Sequence, residues 1–209
     1  MKVDYTLYLC TDSGLMSCKT VEESVELAIL GGCSVVQLRE KNASSLELFQ
    51  LAGRVKQVTD RYNVPLIIND RLDIAMAVGA AGVHLGQDDL PCAAARRILG
   101  EEYLIGVSAH NPAEARAAML CGADYLGCGA VFGTATKADV QKLGTDGLAA
   151  ICREKGLPVV GIGGVTADNY REVRAAGADG AAIVSGILAQ PDIRATVEAI
   201  AKISQEFAK

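Results

Sequence analysis

A short apolar segment, a polar or glycine-rich turn and a helix-like interval follow one another repeatedly along this chain, and that repetition constrains the fold more than any other feature. Candidate strands are YTLYLC near position 5, VVQLR near 35, PLIIN near 65, GVHL near 82, LIGVSA near 104, DYLGCG near 124, PVVGIG near 158 and DGAAIV near 179. Seven helix-like intervals separate them, and IRATVEAIAKISQEFA supplies an eighth. Strands that alternate with helices run parallel, because the helix is the crossover a parallel pair requires, and helices on the outside explain Val-, Ile- and Leu-rich strands. Four related phrases, Gly31-Gly32-Cys33-Ser34, Gly79-Ala80-Ala81-Gly82, Cys121-Gly122-Ala123-Asp124 and Ala176-Gly177-Ala178-Asp179, each stand between a helix and the next strand, where glycine permits a left-handed exit. The pattern predicts a closed eight-stranded parallel β/α (TIM) barrel rather than an open doubly wound sheet, with residues 1–209 as one domain.

Half of the 209 residues are hydrophobic, yet there is no Trp and only three Phe, so aliphatic side chains are expected to fill the interior. The net charge of -5 and the lack of a Lys/Arg run argue against a nucleic-acid groove or an anionic membrane surface, while leaving room for a local anion site. No apolar run reaches spanning length, and MKVDYTLYLC does not read as a signal peptide. Seven cysteines, an odd number without a Cys-x-x-Cys pair, read as reduced, mostly buried thiols. A soluble cytoplasmic protein is expected, with homo-oligomerisation left open.

In such a barrel the chemistry collects after the carboxyl ends of the strands. Extended geometry through Gln37-Leu38-Arg39-Glu40-Lys41 puts Gln37, Arg39 and Lys41 on one side and Leu38 on the other, so that one amide and two cations converge as phosphate ligands, or else form surface ion pairs. Asn69 is placed to orient a polar ring or phosphate. Asp70 is either a hard-cation ligand or a helix cap; with Asp89, from the His84-Leu85-Gly86-Gln87-Asp88-Asp89 segment, it makes a carboxylate pair suited to Mg2+, while Asp88 is assigned to cap the helix after Pro91. His84 reads as a hydrogen-bonding wall for an organic ring or as a structural imidazole. Ser108 reads as a ligand contact, since no nucleophile elbow surrounds it, and His110 as a capping or loop-packing residue beside Asn111 and Pro112. The segment from Gly127 to Lys137, rich in glycine and threonine, reads as a ligand lid or a surface loop. Gly161-Ile162-Gly163-Gly164 and Val184-Ser185-Gly186 follow strands seven and eight, where this fold often holds phosphate, or else their glycines serve only tight turns.

Taken in order, Gln37-Leu38-Arg39-Glu40-Lys41, Asn69-Asp70, His84 to Asp89, Gly106-Val107-Ser108-Ala109-His110, Thr134-Ala135-Thr136-Lys137 and Gly161-Ile162-Gly163-Gly164 resemble the thiamine-phosphate synthase family across nearly the whole chain. The resemblance implies joining of 4-amino-2-methyl-5-hydroxymethylpyrimidine diphosphate to thiazole phosphate, giving thiamine monophosphate and pyrophosphate through a dissociative step without a covalent nucleophile. It implies that Gln37, Leu38, Arg39, Glu40, Lys41, Asn69, Ser108 and Lys137 contact the pyrimidine diphosphate, with His84 beside its ring. Arg39, Lys41 and Lys137 would stabilise the leaving pyrophosphate, Asp70 and Asp89 would hold Mg2+, and Thr134, Ala135, Thr136, Gly164, Val184 and Ser185 would shape the thiazole phosphate site. The sequence departs from the family pattern at Ala130 and Gly133, where prolines are common. The rival readings are a thiazole tautomerase-like barrel and a noncatalytic thiamine-precursor sensor.

Overall fold

The computed structural model describes residues 3–133, 143–154 and 156–207. Eight strands, β1 (Leu7–Cys10), β2 (Val35–Leu38), β3 (Leu66–Asn69), β4 (Gly82–Leu85), β5 (Leu104–Ala109), β6 (Tyr125–Cys128), β7 (Val159–Ile162) and β8 (Gly180–Ile183), lie within the eight segments read from the sequence. They are all parallel and close into a barrel in chain order, β8 pairing with β1 through Leu7–Ala181 and Leu9–Ile183.

Around the barrel run α1 (Val21–Leu30), α2 (Ser45–Arg61), α3 (Leu72–Val78), α4 (Cys92–Leu99), α5 (Pro112–Leu120), α6 (Gly144–Cys152), α7 (Tyr170–Ala175), the single turn α8 (Ser185–Leu188) and α9 (Ile193–Gln205). Among the described residues the expected eight α-helices are thus joined by a ninth, α8, directly after β8. The starts follow capping chemistry: Ser44 and Glu47 form a reciprocal capping box on α2, and the Asn111 side chain accepts from the Glu114 amide on α5. Asp88 does not cap α4, because the N-cap is Pro91 and no side chain bonds to the free amides there.

The four repeated phrases do what their glycines allow. Gly32, Gly79, Gly122 and Gly177 all have positive φ, between 63° and 110°. The residue just before the next strand then reaches back to its neighbour: the Asp124 carboxylate accepts from the Ile105 amide at 2.7 Å, Asp179 from Val159 at 2.8 Å, and the Ser34 hydroxyl from Leu7 at 3.1 Å. Three of the four repeats therefore join two strands through a side chain at the amino-terminal rim, the end opposite the site.

Alternation along the strands separates two cores. Leu7, Leu9, Val36, Leu38, Leu66, Ile68, Val83 and Leu85 face outward into a continuous aliphatic layer under the helices. Each such side chain stabilises the fold by about 1.5–3 kcal/mol on burial. Inside the barrel the expectation of aliphatic filling holds only in part, for Tyr5, Tyr8 and Tyr125 pack there with Val35, Ile67, Val160 and Ala182. Glycines make the room: a Cβ on Gly106 would lie 2.1 Å from the Tyr125 ring, and one on Gly127 would lie 2.7 Å from the His84 ring.

Candidate active site

The inward positions of the strands end in a cavity of about 140 Å³ at the carboxyl-terminal mouth. Gln37, Arg39, Asn69, His84, Ser108, Gly164, Val184 and Ser185, eight of the residues singled out in the sequence, line it together. Strand β2 stops at Leu38, one residue before Arg39, yet Arg39 still faces the cavity. Its amide donates to the Thr11 hydroxyl at 2.9 Å and its guanidinium meets Asp12 at 3.4 Å. Lys41 lies beyond, in a turn, with its ammonium 3.9 Å from Asp70. Two residues of this run do other work: the Leu38 side chain is fully buried in the outer aliphatic layer, which leaves only its backbone near the mouth, and Glu40 accepts from Ser13 at 2.6 Å and Thr11 at 3.2 Å, tying the loop after β1 to the loop after β2.

Asp70 follows β3 in a left-handed conformation, φ 63°, with its amide bonded to the His84 carbonyl at 2.9 Å. For a residue with a side chain this backbone costs free energy, and such strain concentrates where a side chain must be aimed. The Asp70 carboxyl is pushed up to about 6, first by burial and then by the Asp89 carboxylate beside it, against the opposing pull of Lys41 and Arg39. Asp89 is fixed in turn by the Gly86 amide at 2.7 Å. Two carboxylates held together at such a cost form a hard-oxygen donor pair. Among the described residues no group of three or more His, Cys, Asp or Glu side chains is arranged for a metal, so the pair would supply only part of a coordination shell.

The cavity floor is polar. His84 contacts the Tyr125 hydroxyl through Nδ1 and the Ser108 hydroxyl through Nε2, both at 3.1 Å, and Gln37 donates to the Tyr8 hydroxyl at 2.9 Å. Tyr8, Tyr125 and Cys10 also line the cavity. Their importance was missed in the sequence, where the only trace of it is that tyrosines and small residues occupy inward positions. His110 lines the cavity too, while its ring bonds to Glu114 at 2.9 Å and Asn111 does the capping.

On the far side, Gly163 and Gly164 have φ of 100° and 66°, and the Phe132 amide bonds to the Gly163 carbonyl at 2.9 Å, so the loop after β6 is laced to the loop after β7. A side chain at Gly164 would meet the Gly133 carbonyl at 2.6 Å. Thr134, Ala135, Thr136 and Lys137 lie outside the described residues.

Residues 7–187 match the family described as thiamine monophosphate synthase. The chain belongs to this family. Members similar to it include the thiamine-phosphate synthase of Ruminiclostridium cellulolyticum, 54% identical over 202 residues that span 97% of this chain and 96% of that one. Another, from Chloroflexus aurantiacus, is 47% identical and spans 99% of this chain and 97% of its own. The solved thiamine phosphate pyrophosphorylase of Pyrococcus furiosus superposes with a TM-score of 0.92 at 38% identity, covering 99% of this chain and 98% of that one. Within the thiamine monophosphate synthase family, then, this chain has both the length and the barrel of its relatives.

Proposed function

We propose that the chain makes thiamine monophosphate by joining a pyrimidine methyl diphosphate to a thiazole phosphate and releasing pyrophosphate. The observation that carries this reading is the cavity lined by Arg39 at one side and by the Gly163–Gly164 turn with Ser185 at the other, with Lys41 and the Asp70–Asp89 pair standing outside its lining, beyond Arg39. Two phosphorylated substrates need two anion regions facing one organic space.

The diphosphate end belongs with Arg39 and Lys41, whose cations offset the charge that grows on the leaving oxygen, and by resemblance with Lys137. The carbon–oxygen bond breaks with both electrons passing to pyrophosphate; the thiazole nitrogen then gives its lone pair to the methylene carbon, so no enzyme nucleophile is consumed. Gln37, Asn69, His84 and Ser108 bind and orient the pyrimidine. Gly164, Val184 and Ser185, with Thr134 to Thr136, hold the thiazole phosphate. Asp70 and Asp89 fit a Mg2+ ion, since two carboxylates plus substrate phosphates and water satisfy its oxygen-only preference. When bound, the ion would supply further positive charge for the diphosphate oxygens. The seven free thiols suit a cytoplasmic setting.

A tautomerase-like role would use the thiazole end alone and would leave Lys41, Asp70 and Asp89 without a task. The test is pyrophosphate release and thiamine monophosphate formation with both substrates and Mg2+ present. Arg39→Ala is expected to lower kcat/KM by about 100-fold. Thiazole isomerisation without pyrophosphate release would refute the assignment.

A further inference from the structure

Below the cavity, one unbroken hydrogen-bonded chain crosses the barrel interior. The Cys10 thiol lies 3.4 Å from Gln37 Oε1, Gln37 Nε2 lies 2.9 Å from the Tyr8 hydroxyl, and that hydroxyl lies 2.7 Å from the hydroxyl of Tyr125. Tyr125 then reaches His84 Nδ1, and His84 Nε2 reaches the Ser108 hydroxyl, each at 3.1 Å. Tyr8 and Tyr125 are fully buried, and burial above all raises both phenols far above their ordinary range, so each keeps its single hydrogen at working pH.

Counting hydrogens gives the chain a direction. Gln37 donates to Tyr8, so Tyr8 spends its hydrogen on Tyr125. Tyr125 accepts that bond and spends its own hydrogen on His84 Nδ1. A neutral imidazole that accepts at Nδ1 carries its hydrogen on Nε2 and donates it to Ser108. The Ser108 oxygen is then an acceptor toward the ring, and its hydroxyl hydrogen is left for the cavity that Ser108 lines. Turning the Gln37 amide over would reverse every bond, and Ser108 would spend its hydrogen on His84. The first link favours the forward order: in the reverse order the amide N–H groups of Gln37 would face sulfur, a weak acceptor, and a buried N–H without a good acceptor is rarer than an under-used carbonyl oxygen. The Thr11 carbonyl lies farther from the thiol, at 3.9 Å.

We propose that Tyr8 and Tyr125 are positioning residues that hold His84 as its Nε2–H tautomer and so make Ser108 a hydrogen-bond donor to an acceptor atom of the pyrimidine substrate. The substrate half rests on the proposed function; the order of the bonds does not. The close approaches at Gly106 and Gly127 show that the barrel is shaped around the Tyr125 and His84 rings. Neither tyrosine hydroxyl has to touch substrate for its loss to be felt at Ser108.

The test reads the two halves separately. The chain has two histidines, so ring 15N resonances of the free protein resolve His84 once His110→Gln has assigned the other. A protonated Nε2 and a bare Nδ1 are expected in the wild type, and Tyr125→Phe should release the ring into a mixture of tautomers. The dissociation constant for the pyrimidine diphosphate should rise about 10-fold in Tyr125→Phe and in Ser108→Ala, with kcat at saturation changing less, and the double variant should lose no more than Ser108→Ala alone. Should Tyr125→Phe not fold, Tyr8→Phe/Tyr125→Phe removes both hydroxyls together and takes its place, with the same expected outcomes. A wild-type ring protonated on Nδ1 would overturn the bond order. Additive losses in the double variant would overturn the action through Ser108. A wild type with the expected tautomer that does not bind the pyrimidine diphosphate would sink the proposed function and the donor role that rests on it.

Discussion

Asp70 carries two costs at once, a left-handed backbone and a carboxyl pushed up to about 6 by burial and by Asp89. Because this group binds its proton more tightly in the folded chain than in the unfolded one, its linkage term favours folding most below the unfolded value near 4, and that advantage is lost as pH rises to about 6. Asp70→Asn should therefore make the metal-free protein more stable at pH 7 by about 1–2 kcal/mol, and Asn tolerates positive φ well. The same substitution should raise the Mg2+ concentration needed for turnover by about 10-fold or more. Thermal unfolding and a Mg2+ titration of activity, both at pH 7, check the two signs. A variant less stable than wild type without metal would mean that the carboxyl pair is not the strained feature described above.

Each strand of the barrel is so short that two inward and two outward positions, three of each on β5, decide its packing. Gly106→Ala on β5 puts a methyl into the Tyr125 ring, and overpacking of this kind should destabilise by about 2–3 kcal/mol in urea unfolding. Ala at Gly53 on α2, where a Cβ meets nothing within 4 Å, should be neutral or slightly stabilising. The contrast shows what could be read from the sequence. Strand positions, helix exits and the outward aliphatic face were legible because alternation and turn chemistry are local properties. So were Gln37, Arg39, Asn69 and Ser108, polar residues at strand ends. Tyr125 was not, because its meaning lies in a partner 117 residues away across the barrel, and no local pattern carries that information. Asp88 was misassigned for a related reason: an acidic residue ahead of a proline looks like a cap, but here the chain enters α4 with Pro91 already in the cap position.

For the molecule as a whole, the buried tyrosines set an upper pH limit on the fold. Burial raises Tyr5, Tyr8 and Tyr125 well above the value they have in the unfolded chain. Groups shifted in this direction contribute stability that is intact below about pH 10 and is lost as pH climbs toward their folded values. In an alkaline titration followed by phenolate absorbance and circular dichroism, these three, and the buried Tyr170 with them, should ionise together with loss of secondary structure. Smooth ionisation of all six tyrosines with the barrel intact would contradict the burial described for them.

The separation of an aliphatic shell from a hydrogen-bonded interior also sets how such a chain can diversify. Exchange among Leu, Ile and Met under the helices conserves volume and costs little, so the outer layer can drift. Inward positions are bound to one another by directional bonds across the barrel and can change only in concert. Tolerance to substitution should consequently alternate residue by residue within a single strand such as Val35–Leu38, and relatives that have diverged at Val36 and Leu38 should still agree at Gln37.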